Sequence, residues 1–103
     1  MPAINVEQYK ANLQFMEARI QIAERILAAH LERGLQERNH AVASWKSQGY
    51  IVASPYLKAM EEDCEARADD QRVLIAQMKS QATMMRAAIE EAQHNGLERR
   101  IVS

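Results

Sequence analysis

The sequence predicts an all-α fold: one long antiparallel two-helix hairpin of coiled-coil type. Three observations carry it. The 103 residues are rich in Ala, Glu, Gln, Arg, Leu and Met and hold three Gly, two Pro and one Phe, so strand formers are scarce. Apolar residues recur at alternating steps of three and four, the heptad spacing of packed helices. Pattern-breaking residues cluster near the middle of the chain, where one turn would fold it in two.

Helix 1 is expected over about residues 5–47. Asn5 suits an N-cap, with Glu7 and Gln8 in the first turn. Its stripe runs Val6, Tyr9, Leu13, Met16, Ile20, Ala23 and Leu27. After a slip of one residue it continues through Leu31, Leu35, Val42 and Trp45, with Arg38 between. Gly34 costs a helix about 1 kcal/mol relative to Ala, which leaves room for a bend there.

Residues 48–54 are the expected connection, with Gly49 as a helix C-cap. Ser54-Pro55 then restarts a helix, since Pro is tolerated at the first helical position. Helix 2 is expected over about residues 55–94, with Asn95-Gly96 as its stop and residues 95–103 as a short tail. Its stripe is Leu57, Met60, Cys64, Arg67, Gln71, Leu74, Met78, Ala82, Met85, Ile89 and Ala92, with a slip between Met78 and Ala82. Folding at Tyr50 sets Trp45 near Leu57, Leu27 near Leu74, Ile20 near Ala82 and Leu13 near Ile89. Arg38, Arg67, Gln71 and His30 make the middle of that seam polar. The whole chain, 1–103, reads as a single helical-hairpin domain.

Thirteen basic against 14 acidic residues leave a net charge of −1, without the basic excess of a nucleic-acid surface. The bases also sit beside acids, as in Glu24-Arg25, Glu32-Arg33 and Glu37-Arg38. A single cysteine, Cys64, forms no intrachain disulfide, which points to a reducing compartment. The segment Met1-Pro2-Ala3-Ile4-Asn5 has no signal-peptide character, and no apolar run reaches the ~20 residues of a bilayer span. A cytoplasmic protein, or one in a virion or host cytoplasm, is the expectation, with no membrane partner.

Function has to be sought on the surface. A second stripe on helix 1, Phe15, Ala18, Ile22, Ile26 and Ala29, widens its apolar face. Ile75, Met84 and Ala88 widen helix 2 in the same region. Two helices alone cannot cover so wide a face, so an interface with another chain is expected. A homo-oligomer, most simply a dimer making a helical bundle, would supply one. Trp45, Tyr50, Ile51, Val52 and Tyr56 form an aromatic cluster at the tip that either anchors a partner or caps the helix pair. The predicted interface residues are therefore Phe15, Ile22, Ile26, Ala29, Trp45, Tyr50 and Met84.

Other candidates are weaker. Glu-x-x-His occurs as Glu37-Arg38-Asn39-His40 and as Glu91-Ala92-Gln93-His94, the spacing that di-metal bundles use. A metal-binding bundle assembled across subunits is thus the alternative reading, although the two pairs fall at opposite ends of the folded hairpin. His30 reads as a hydrogen-bonded seam residue and Cys64 as a small apolar one. The acids Glu61, Glu62, Asp63, Glu65, Asp69 and Asp70 read as a solvated face or a complement to basic groups. Six methionines suit an adaptable packing surface. No phosphate loop, catalytic-triad pattern or zinc-ligand spacing occurs, so neither an enzyme nor a cofactor is expected.

The chain resembles small secreted hairpins of the WXG type in length, in the hairpin and in placing Trp45 near the turn. It departs from them at the motif itself: Trp45-Lys46-Ser47 has Ser where Gly belongs, and no Tyr follows Tyr56. Membership is not assigned on these residues. What remains is a binding or assembly protein. It would be a structural piece of a larger complex, such as a bacteriophage particle or secretion apparatus, or a small inhibitor or adaptor.

Overall fold

A computed structural model describes residues 5–49 and 54–102, with side chains described for 5–49 and 55–96. Two long helices pack as a hairpin: α1, Val6–Ser47, and α2, Ser54–Val102. Among the described residues there is no strand.

The start of α1 is built as the sequence suggests. The Asn5 side-chain oxygen accepts a hydrogen bond from the Gln8 backbone N–H at 3.1 Å, satisfying one of the donors a helix start leaves open. At the other end Gly49 takes a positive φ of 81°. Its N–H donates to the Lys46 carbonyl at 3.1 Å, one of the two bonds of a Schellman-type stop. A side chain at that φ would crowd the following carbonyl, so Gly belongs there.

The end of α2 departs from expectation. The helix continues through Asn95-Gly96 to Val102, where a stop after His94 and a tail from residue 95 were predicted. Gly96 does not adopt a positive φ. A helical Gly costs only about 1 kcal/mol, and the Leu97-Glu98-Arg99-Arg100 that follows is made of good helix formers.

The chain divides into two compact units. The first comprises Met1–Ile22 with Ile75–Ser103, the second Ala23–Leu74. In the first unit Ile20, Ile75, Met78, Ala82 and Ile89 are buried, flanked by half-buried Leu13, Met16 and Met85. Ile20 and Ala82, expected opposite one another, line one groove. The core is thin: among the described residues no large side chain is fully enclosed.

The second unit corrects the seam. Beyond Leu27 the inner edge of α1 runs through half-buried His30, Gly34, Arg38, Ala41 and Trp45, with Leu31 and Val42 half-buried beside it, while Leu35 is exposed. On α2 it runs Leu57, Met60, Cys64, Ala68 and Gln71, and Arg67 faces solvent. Leu74, predicted in the seam, is 49% exposed, whereas its neighbour Ile75 in the first unit is 6% exposed. Strict alternation of three and four carries the expected α2 stripe from Cys64 to Arg67 and on to Leu74, whereas in the structure a second step of four after Cys64 brings Ala68 and Ile75 inward. There is accordingly no slip between Met78 and Ala82. Instead each helix doubles its four-residue step once, at His30-Gly34-Arg38 and at Met60-Cys64-Ala68. From 27 to 38 and from 57 to 68 the repeat is therefore eleven residues, which locally unwinds a left-handed supercoil.

Gly34 is the reason the helices fit there. A Cβ at residue 34 would meet Cys64 Sγ at 2.6 Å, so any larger residue obliges the thiol to shift. The position where the sequence leaves room for a bend is a point of close contact with α2.

Candidate interaction surface

With the seam assigned, heptad letters follow. In the first unit Leu13, Ile20, Ile75, Ala82 and Ile89 are a positions, and Met16, Met78 and Met85 are d positions. In an antiparallel pair the e positions of both helices share one flank, and the g positions share the other with the neighbouring c positions.

The two flanks of this unit differ in chemistry. On the e flank the Arg86 guanidinium Nη2 donates to Glu17 Oε1 at 2.8 Å, bridging residues far apart in sequence. Around that pair lies a shallow groove whose polar lining includes Gln21, Lys79 and Thr83. On the opposite flank the c positions include Phe15, Ile22 and Met84, at 67%, 54% and 69% exposure, together with Gln8, Gln77 and Glu91. The Arg19 guanidinium carbon stands 5.9 Å from the centroid of the Phe15 ring, a cation–π distance. Half-buried Ala88 completes that side. One flank is thus closed by ions, and the other presents uncovered hydrocarbon. Acid and base at matching e positions carry a sequence signal, but one readable only once the register is known.

The second unit has exposed apolar residues of its own. Ile26, Ala29, Leu35, Val73 and Leu74 all face solvent. Trp45 is half-buried and meets the exposed Tyr56 edge to face, with ring centroids 5.1 Å apart and planes at 71°. That geometry suits the quadrupoles of the two rings and holds Trp45 in place. Tyr50, Ile51 and Val52 lie outside the described residues.

A polar notch occupies the doubled step of the second unit. His30 Nε2 lies 3.2 Å from the Cys64 carbonyl oxygen and 3.7 Å from Sγ. With its proton on Nε2 the ring donates to the carbonyl, and that same nitrogen then has no lone pair for the thiol proton. With its proton on Nδ1 instead, Nε2 accepts from the Cys64 thiol, and either tautomer ties His30 to Cys64. Beside it Arg38 Nε, shielded from solvent, stands 2.6 Å from Glu61 Oε1 with its N–H out of line, an ion pair rather than a directed hydrogen bond.

Most of the acidic cluster is engaged. Glu61 meets Arg38, Glu62 meets Lys58, and Asp63 meets Arg67. Arg72 holds Glu65 and, at 2.7 Å, Asp69. The hydrogen bonds Arg72 donates, to Glu65 first and then to Asp69, raise its pKa above the ordinary value. The pairs beyond Arg38–Glu61 are exposed and screened by water, so they neutralise the face more than they stabilise it.

Glu37 and His40 fall in the second unit, Glu91 and His94 in the first. Among the described residues no group of three or more His, Cys, Asp or Glu side chains is placed to hold a metal ion. Neither is any helix among them long and apolar enough to cross a membrane. Compared with known proteins, the chain matches no family profile, no curated protein and no solved structure.

Proposed function

We propose that the chain is a non-enzymatic binding or assembly protein, whose activity is to present a helical surface to another protein. The observation that carries this reading is the asymmetry of the first unit. Its e flank is closed by the Glu17–Arg86 pair, while Phe15, Ile22 and Met84 lie uncovered on the opposite flank. Soluble proteins rarely leave large apolar side chains grouped on one side without a partner to cover them. The polar groups nearest to chemistry, His30 and Cys64, are engaged with each other and with the backbone, which supports a structural role for the notch.

Two roles fit this surface. One is a structural piece of a larger assembly, such as a phage particle or secretion apparatus; the other is a small inhibitor or adaptor docked by its helices on an enzyme or regulator. Affinity purification from the native host, with mass spectrometry of what accompanies the chain, tests the reading. A partner protein should co-purify in near-stoichiometric amount, and Ile22→Asp or Ile26→Asp should release it while the chain stays helical. Retention of every partner by both variants would remove these residues from the interface and make Trp45 and Tyr56 the next surface to test.

A further inference from the structure

We infer that the second unit, Ala23–Leu74, is a conformational device whose two helical arms part and rejoin while the first unit stays closed. Burial is the first argument. In the first unit Ile20, Ile75, Met78 and Ile89 are each at most 9% exposed, and Ala82 is 1% exposed. In the second, the one buried side chain among the described residues is the methyl group of Ala68. Leu27, Leu31, Trp45, Leu57 and Met60 are only half-buried, so parting the arms adds less new apolar surface for each of them. Apolar area newly given to water is what makes an opening costly, and the second unit has less of it to give.

The chemistry of the seam is the second argument. Where large apolar side chains would lock the arms together, the second unit holds His30, Gly34, Arg38, Cys64 and Gln71. On opening, His30 exchanges the Cys64 carbonyl, 3.2 Å from Nε2, for water at little net loss. Arg38 Nε gains, because it is shielded from solvent with Glu61 out of line, and a shielded donor without an acceptor on its axis is worse off than a hydrated one. Gly34 weakens α1 at the same level. The tether opposes all this: the released segment is held at both ends by the first unit, which withholds part of the entropy gained. That cost grows only as the logarithm of segment length, whereas burial adds with every enclosed side chain, so burial decides.

Native-state hydrogen exchange of dilute purified chain, read peptide by peptide by mass spectrometry, tests this. Relative to unstructured chain, amides of residues 27–38 and 60–71 should exchange at least about tenfold faster than those of residues 13–22 and 75–89. Opening of one unit against a closed other also predicts coupling in one direction. Ile89→Val should quicken exchange in the first unit and leave the second unchanged, because the second opens without disturbing Ile89. Ala68→Gly should quicken both, because the first unit exchanges only when the whole chain unfolds. Equal protection of the two units overturns the inference, and so does slower exchange in the second. An Ile89→Val chain whose second unit quickens as much as its first overturns it as well, since the two would then open together.

Discussion

Gly34 and Cys64 meet across the helix pair so closely that a Cβ on residue 34 would stand 2.6 Å from the thiol sulfur. Two opposing effects act on Gly34→Ala. A helix gains about 1 kcal/mol from Ala in place of Gly. Against that, Cys64 Sγ has to leave its position beside His30. In a Cys64→Ala background the second effect vanishes, because the Cys64 Cβ would lie an ordinary 3.7 Å away. Gly34→Ala should therefore stabilise the Cys64→Ala chain by about 1 kcal/mol and the wild-type chain by clearly less, or destabilise it. Urea unfolding of the four chains of this cycle measures the difference. Equal effects in both backgrounds would mean that the two residues do not touch.

The seam at Leu74 and Ile75 can be tested by truncation. Ile75→Ala removes a buried side chain and should cost about 2–4 kcal/mol, whereas Leu74→Ala should cost less than about 1 kcal/mol unless another chain covers it. Thermal unfolding at low concentration separates the two. The reverse order would restore the apolar register that the structure contradicts.

Ala68 is fully buried where α2 doubles its step. Ala68→Leu should destabilise the chain by about 1–3 kcal/mol through overpacking. Arg67→Leu, one residue away and exposed, should change stability by no more than about 0.5 kcal/mol. Denaturant midpoints of the two variants provide the check.

The Glu17–Arg86 pair is half exposed on both sides, so its coupling should be modest. A double-mutant cycle with Glu17→Gln and Arg86→Gln should give about 0.2–1 kcal/mol at low salt, falling as salt is added. A coupling that ignores salt would point to a contact other than this ion pair.

Gly49→Ala should destabilise the chain by about 1 kcal/mol, because a β-carbon at a φ of 81° crowds the backbone. Gly49→Asn should cost less, since Asn tolerates that region better. Equal stability of all three chains in urea would mean that the connection leaves this conformation freely.

Helix start, turn and hairpin are legible in the sequence because each has local chemistry behind it. Asn5 caps, Gly49 reverses the backbone, and the steps from Val6 to Leu27 have a single period. Legibility fails where burial and apolarity part. Leu35 reads as seam because it is apolar, and Arg67 and Leu74 because an unbroken heptad leads to them, while Gly34 and Ala68 hold the seam because close helices need small residues. Gly96 misleads for the opposite reason: glycine permits a stop without requiring one, and the residues after it favour continuing. The exposed Phe15, Ile22 and Met84 are legible as excess apolar surface. Their separation from the ionic flank is not, because Glu17 and Arg86 meet only after the chain has folded back.

The doubled steps at Gly34 and Cys64 also act as a length gauge. Everywhere else along the seam, removing residues from a helix keeps its inward face inward only in sevens. Here four suffice: excising residues 35–38 from α1 and 61–64 from α2 rejoins unbroken heptads on both sides of each cut. A chain shortened in both arms should unfold in one cooperative transition, while a chain cut in one arm alone should lose that cooperativity. The doubled step is thus the one place where the arms of this hairpin can change length by about a single helical turn without being rewritten.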